Sequence, residues 1–179
     1  MANGLLKLVL GAGLAAGLGA SANAQDWQEY NGHLYALTPT PMSWSSAESY
    51  ATGLGGMDAH LATINDPDEN EWITNEVTTF SADFWMGFYQ PEPRDEEPAG
   101  GWEWISEEPV TYVNWAWNEP NNAGGAEHFG YFNGNAGTWG DYPPHVSTYG
   151  IVESPIPEPS TLALLVAGAV GMGATRRRK

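Results

Sequence analysis

The chain has 179 residues, 22 Asp and Glu against 6 Lys and Arg, a formal net charge of −16 at pH 7, and no cysteine. That length leaves room for one ordinary domain plus targeting segments. A field of this sign excludes nucleic acid and anionic lipid as partners and attracts cations, and without cysteine the fold must be held by burial alone.

Met1 to Ala24 carries Lys7, an apolar Leu/Ala/Gly run from Leu8 to Ala20, and small residues at Ala22 and Ala24. This is the layout of a secretory signal peptide, with cleavage expected before Gln25. The run is too short for a comfortable membrane span. The mature domain is expected over residues 25–154. It retains all 9 tryptophans, which substitute for disulfides by burying about 150–250 Å² each. It also holds 21 of the 22 acidic residues and, of the basic ones, Arg94 alone, a net charge of about −20.

A first strand is predicted from Tyr30 to Thr38, ended by Pro39 and Pro41. Ser43 caps a helix over Trp44 to Leu54, whose apolar spacing marks core packing and which Gly55 and Gly56 stop. His60 to Ile64 reads as a short strand. Asp66, Pro67 and Glu69 form a capping box for a second helix, with Trp72, Ile73, Val77 and Phe80 as its buried stripe. Phe84 to Tyr89 is a dense aromatic run expected to be the central strand. Gln90 to Gly101, with three prolines and the acidic run Asp95, Glu96 and Glu97, reads as an exposed loop whose charges face solvent. Trp102, Trp104 and Ile105 resume a strand. His128 to Asn133 and Thr138 to Asp141 are predicted antiparallel partners joined by the turn 134–137, and Tyr149 to Glu153 closes the sheet beside the first strand.

Asn114 to Asp141 gathers oxygen-bearing side chains, a proline and tryptophan anchors in one glycine-rich stretch. Calcium takes roughly 6–8 oxygen ligands from irregular backbone, and Glu119, Asn121, Glu127 and Asp141 supply four candidates. Pro120 allows a cis bond that would turn Glu119 and Asn121 toward one point.

Glu119-Pro120-Asn121, then Glu127, then Trp139-Gly140-Asp141, together with His60 to Ile64 and Trp85-Met86-Gly87-Phe88, resemble the C-type lectin-like domain. The resemblance implies an α+β fold with two helices, small antiparallel sheets and a long loop region. It also implies Ca2+ held by Glu119, Asn121, Glu127 and Asp141, which share the ion with sugar hydroxyls. Glu-Pro-Asn implies a mannose-type preference. Two departures stand out. Met57, Asp58 and Ala59 lengthen a turn without harm to the fold. Gly140 replaces a calcium-binding asparagine, a gap to be filled by water, a backbone carbonyl, Asn133 or Asn135. Trp117 and Tyr142 are candidates either to stack on a sugar or to anchor the loop. His128 and His145 are candidate ligands or bases by residue type alone; His128, on the face opposite Glu127, reads as structural, and His33 and His60 sit in strands and need no function.

Pro157-Glu158-Pro159-Ser160, the apolar stretch Leu162 to Ala174 and the tail Arg176, Arg177, Arg178 and Lys179 resemble the PEP-CTERM sorting signal of Gram-negative bacteria, over residues 155–179. This implies an exosortase-type processing enzyme as partner and transient inner-membrane association through residues 162–174, the basic end staying cytoplasmic. The expected function is an exported, calcium-dependent lectin for surface glycans or exopolysaccharide. No nucleophile with an adjacent base, zinc spacing or phosphate loop points to an enzyme. The competing class is a matrix or adhesion protein that uses the same fold for calcium-independent protein contacts.

Overall fold

The computed structural model describes residues 25–55, 57–92 and 96–156. The expected signal peptide, Arg94 and Asp95, and the segment 162–174 with its basic tail lie outside them. Among the described residues no helix is long and apolar enough to cross a membrane.

The chain runs β1 (Gln28–Tyr30), β2 (His33–Leu37), α1 (Trp44–Thr52), β3 (His60–Leu61), α2 (Pro67–Trp72) continuing as a π-helical segment (Ile73–Val77), β4 (Asp83–Tyr89), β5 (Glu103–Trp104), β6 (Phe129–Asn133), β7 (Trp139–Tyr142) and β8 (Tyr149–Pro155). The strands lie in the order β1-β2-β8-β4-β6-β7, with β3 also on β8 and β5 on β4. β4 is central, as its unbroken apolar run requires. Only its pairing with β8 is parallel, the others being antiparallel.

The expected first strand is in fact the end of one strand and the whole of the next. Asn31 and Gly32 take φ of 47° and 88° and fold β1 back onto β2. An Asn-Gly pair between apolar residues is the strongest short-range hairpin signal, and here it outweighs the alternation that suggested one continuous strand. α1 starts where predicted, with the Ser43 hydroxyl accepting from the Ser46 amide at 3.4 Å, and stops two residues early at Gly53. α2 begins at Pro67 with Asp66 Oδ1 accepting from the Glu69 amide at 2.9 Å. The reciprocal half of the capping box is absent. Glu69 Oε2 instead accepts from the Asn65 amide at 2.8 Å, and its other oxygen accepts from the Tyr35 hydroxyl at 2.6 Å. Burial raises the Glu69 carboxyl above its ordinary range.

The main core lies between the helices and the sheet, with Phe84, Met86, Phe88, Phe132, Trp104 and Trp139 fully enclosed. Phe88 lies 4.2 Å from Trp104 and 5.7 Å from Trp139 between ring centroids, and Trp115 joins them from the long loop. The aromatic cluster thus extends from the sheet to the base of the loop that carries the site.

Candidate functional site

The long loop between β5 and β6 is tied to β7 by backbone pairing. Ala116 N–H donates to the Trp139 carbonyl at 2.8 Å, and Trp139 N–H donates to the Asn114 carbonyl at 2.9 Å. From this base the chain turns at Ala116–Glu119, closed by the Glu119 amide on the Ala116 carbonyl at 3.0 Å, with Asn118 at φ 64°. The next peptide, Glu119–Pro120, is cis.

Three of the four predicted residues are joined directly. Asp141, 2% exposed on β7, accepts from the backbone amides of Asn121 at 2.9 Å and Asn122 at 2.8 Å. The Asn121 amide group donates to Glu119 Oε1 at 2.6 Å, while Glu119 Oε2 accepts from the Asp141 amide at 3.3 Å. Glu119 and Asn121 therefore face each other across the proline. Glu127 joins through the loop: its Oε2 accepts from the Ala123 amide at 2.7 Å, and its own amide donates to Asn122 Oδ1 at 3.1 Å.

Burial and the neighbouring Asp141 carboxyl push Glu119 up to about 7, and burial followed by the Asp141 charge raises Glu127. Carboxylates crowded in this way repel one another, and a bound divalent ion would remove that repulsion. The donors are all hard oxygens, the chemistry calcium requires, so the residues fit the ion. Among the described residues, no three Asp, Glu or His side chains already form a metal cage. The Asn121 amide group, now a donor to Glu119, would have to present its oxygen.

Other expectations about the loop need correction. Glu97 is only partly exposed: its Oε2 accepts from the Asn122 side chain at 2.8 Å, and its Oε1 lies 2.9 Å from His128 Nδ1. It buttresses the site loop from the acidic segment, across 25 residues of sequence. Asn133 and Asn135 cannot fill the gap at Gly140. The Asn133 side chain donates to Asp83 Oδ1 and the Asn135 side chain to Ser81 Oγ, so both amides are engaged elsewhere. Gly140 itself has a physical reason. A Cβ there would lie 2.5 Å from Cε1, Cζ and Oη of Tyr131, its cross-strand partner. Tyr142, whose ring stacks on Tyr131 at 4.0 Å and whose hydroxyl donates to Asp83 Oδ2 at 2.7 Å, is an anchor. Trp117 is 95% exposed at the tip of the Ala116–Glu119 turn.

A mixed sheet with two short helices and a tryptophan-anchored loop of oxygen donors defines an α+β module. Residues 40–151 match the family model described as lectin C-type domain, so the chain belongs to that family of carbohydrate-binding proteins, which are not enzymes. Residues 155–179 match the PEP-CTERM protein-sorting motif, which marks the chain for export and processing.

Among curated relatives, regenerating islet-derived protein 3-alpha of Mus musculus is 29% identical over 121 residues, 65% of this chain and 67% of that one. A perlucin-like protein of Mytilus galloprovincialis is 30% identical over 110 residues, 59% and 65% of the two chains. C-type lectin domain family 4 member K of Homo sapiens is 27% identical over 125 residues, 67% of this chain and only 35% of its own length. The chain thus spans between about a third and two thirds of these relatives. The C-type lectin CEL-I from Cucumaria echinata superposes with a TM-score of 0.64 at 21% identity, over 74% of this chain and 96% of its own. A calcium-independent type II antifreeze protein gives 0.61 at 24%, over 73% and 92%. At these identities the structural matches establish the fold alone.

Proposed function

We propose that the mature protein is an exported lectin in which Glu119, Asn121, Glu127 and Asp141 hold Ca2+ and share it with vicinal hydroxyls of a mannose-type sugar on surface glycans or exopolysaccharide. The observation that carries this reading is the hydrogen-bonded convergence of Glu119, Asn121 and Asp141, with Glu119 raised by its acidic neighbour. In the bound state calcium supplies a Lewis-acidic centre for hydroxyls, and the carboxylates accept the hydrogen bonds of those hydroxyls. Net negative charge on the domain favours neutral over anionic glycans. An exosortase-type enzyme acting at residues 155–179 would release or re-anchor the protein at the envelope.

Calorimetric titration with calcium, with and without mannose, tests the proposal, as does retention on mannose resin with and without chelator. Calcium uptake that strengthens mannose binding is expected. Retention that survives chelation would favour a calcium-independent adhesion protein, the reading supported by loop oxygens already engaged in internal hydrogen bonds.

The sign of the pH dependence follows from Glu119. Its protonated form is favoured in the metal-free fold, so calcium must displace a proton below about pH 7. Calcium affinity is expected to rise as pH increases from about 5 to 7, with proton release detectable as a buffer-dependent binding enthalpy. This window lies above the pH 4–5 that unperturbed carboxylates imply.

Trp117 supplies an aromatic face two residues from Glu119, no more than about 7 Å along the chain. Of the adjacent loop tryptophans, Trp115 packs into the core and only Trp117 stands free. Replacing Trp117 with alanine is expected to weaken mannoside binding about tenfold, as loss of roughly 1–1.5 kcal/mol of ring contact would. Calcium affinity and melting temperature should be unchanged, since the ring contributes nothing to the core.

A further inference from the structure

The replacement of asparagine by Gly140 and the position of Tyr131 are two halves of one arrangement. In the β6–β7 register Tyr131 pairs with Gly140, so their side-chain directions fall on the same face of the hairpin. Any Cβ at 140 would meet Cζ and Oη of Tyr131 at 2.5 Å. The phenol thus occupies the space into which an asparagine at 140 would extend, and its oxygen lies close to where that amide would branch. Among the described residues the Tyr131 hydroxyl has no hydrogen-bond partner, whereas the stacked neighbour Tyr142 has its hydroxyl committed to Asp83. Tyr131 also stands within the field of Asp83 first and then of Glu119, Asp141 and Glu127, the three acidic members of the candidate site.

We propose that Tyr131 stands in for the missing amide, its phenol oxygen serving as the neutral ligand that completes the calcium site formed by Glu119, Asn121, Glu127 and Asp141. The assignment rests on the calcium-lectin reading above and adds to it a residue from a different strand. It accounts for a glycine where a ligand is expected and for the phenol that lies over it. A neutral oxygen is the suitable replacement, because an amide contributes an oxygen dipole without adding charge. Burial, with the surrounding carboxylates, pushes the Tyr131 phenol up to about 12, which keeps it protonated and neutral at physiological pH.

The test is calorimetric calcium titration of the full mature domain, with melting temperature measured in chelator. Tyr131→Phe keeps the ring, its stacking on Tyr142 and its volume over Gly140, and removes only the oxygen. Calcium affinity is expected to fall at least about tenfold, the usual scale for losing a supporting group at a metal site, with the melting temperature in chelator unchanged. The double variant Tyr131→Ala with Gly140→Asn clears the ring and restores an amide, and should bind calcium more tightly than Tyr131→Phe. Gly140→Asn alone should be strongly destabilised, because the ring remains. Unchanged calcium affinity in Tyr131→Phe would overturn the assignment. So would a loss confined to mannose affinity, or a folded double variant no better than Tyr131→Phe. If the unmodified domain takes up no calcium, the function proposal fails first and this assignment with it, an outcome distinct from the others.

Discussion

Alanine in place of Asp141 is expected to abolish calcium-dependent mannose retention and to destabilise the domain by about 2–5 kcal/mol. Asp141 reads from the sequence as a calcium ligand. The structure assigns it a second task. Asp141 is buried, and its two oxygens accept from the amides of Asn121 and Asn122. Truncation leaves both donors without a partner at the point where the loop meets β7, each costing about 1–3 kcal/mol. Thermal unfolding in chelator separates the two effects, because the loss of stability should appear without calcium. Glu119→Gln should change the chelator melting temperature little, the relief of repulsion from Asp141 being offset by the hydrogen bond its amide nitrogen cannot accept, while still abolishing calcium uptake. An Asp141→Ala variant as stable as the parent would contradict the structural role, and one retaining calcium-dependent binding would contradict the site.

Replacing Trp139 with alanine is the larger structural change, expected to cost about 3–5 kcal/mol and to lower the melting temperature by ten degrees or more, on the order of the shifts seen for domains this size. Trp139 has no exposure and contacts the rings of Phe88, Trp104, Tyr112 and Trp115. Its indole N–H donates to Asn70 Oδ1 at 2.8 Å, and Asn70 in turn donates to the Gly137 carbonyl at 2.9 Å. One side chain thus joins α2, the β6–β7 turn and the base of the site loop. In a chain without cysteine this contact set does the work of a cross-link. Denaturant unfolding of Trp139→Ala, compared with the exposed control Trp117→Ala, measures it. Equal stabilities would show that the aromatic cluster does not hold the loop.

Export and processing bear on where these properties operate. The sorting motif places the domain outside the cytoplasm. There the proposed calcium site, if Glu119 is one of its ligands, would hold glycans according to calcium and pH.

Elements whose signals are local were legible in the amino-acid order. Ser43 and Asp66 mark helix starts because a side-chain oxygen two or three residues ahead of an amide needs no tertiary partner. The apolar run of β4 announced a central strand because only a strand covered on both faces can bury every residue. The ordered set Glu119-Pro120-Asn121, Glu127 and Asp141 announced the family because its members keep their order along the chain. Tertiary structure decided what depends on contacts between distant segments. Glu97 reads as solvated from its acidic neighbours, yet it holds Asn122 and His128 because the fold brings two loops together. Trp115, Trp117 and Trp139 are the same residue type in one stretch, and only packing separates a buried and a half-buried anchor from an exposed face. Gly140 reads as a lost ligand in one dimension. In three it is the space that Tyr131 requires, because the identity of a cross-strand neighbour is fixed by register, which no single segment of sequence contains.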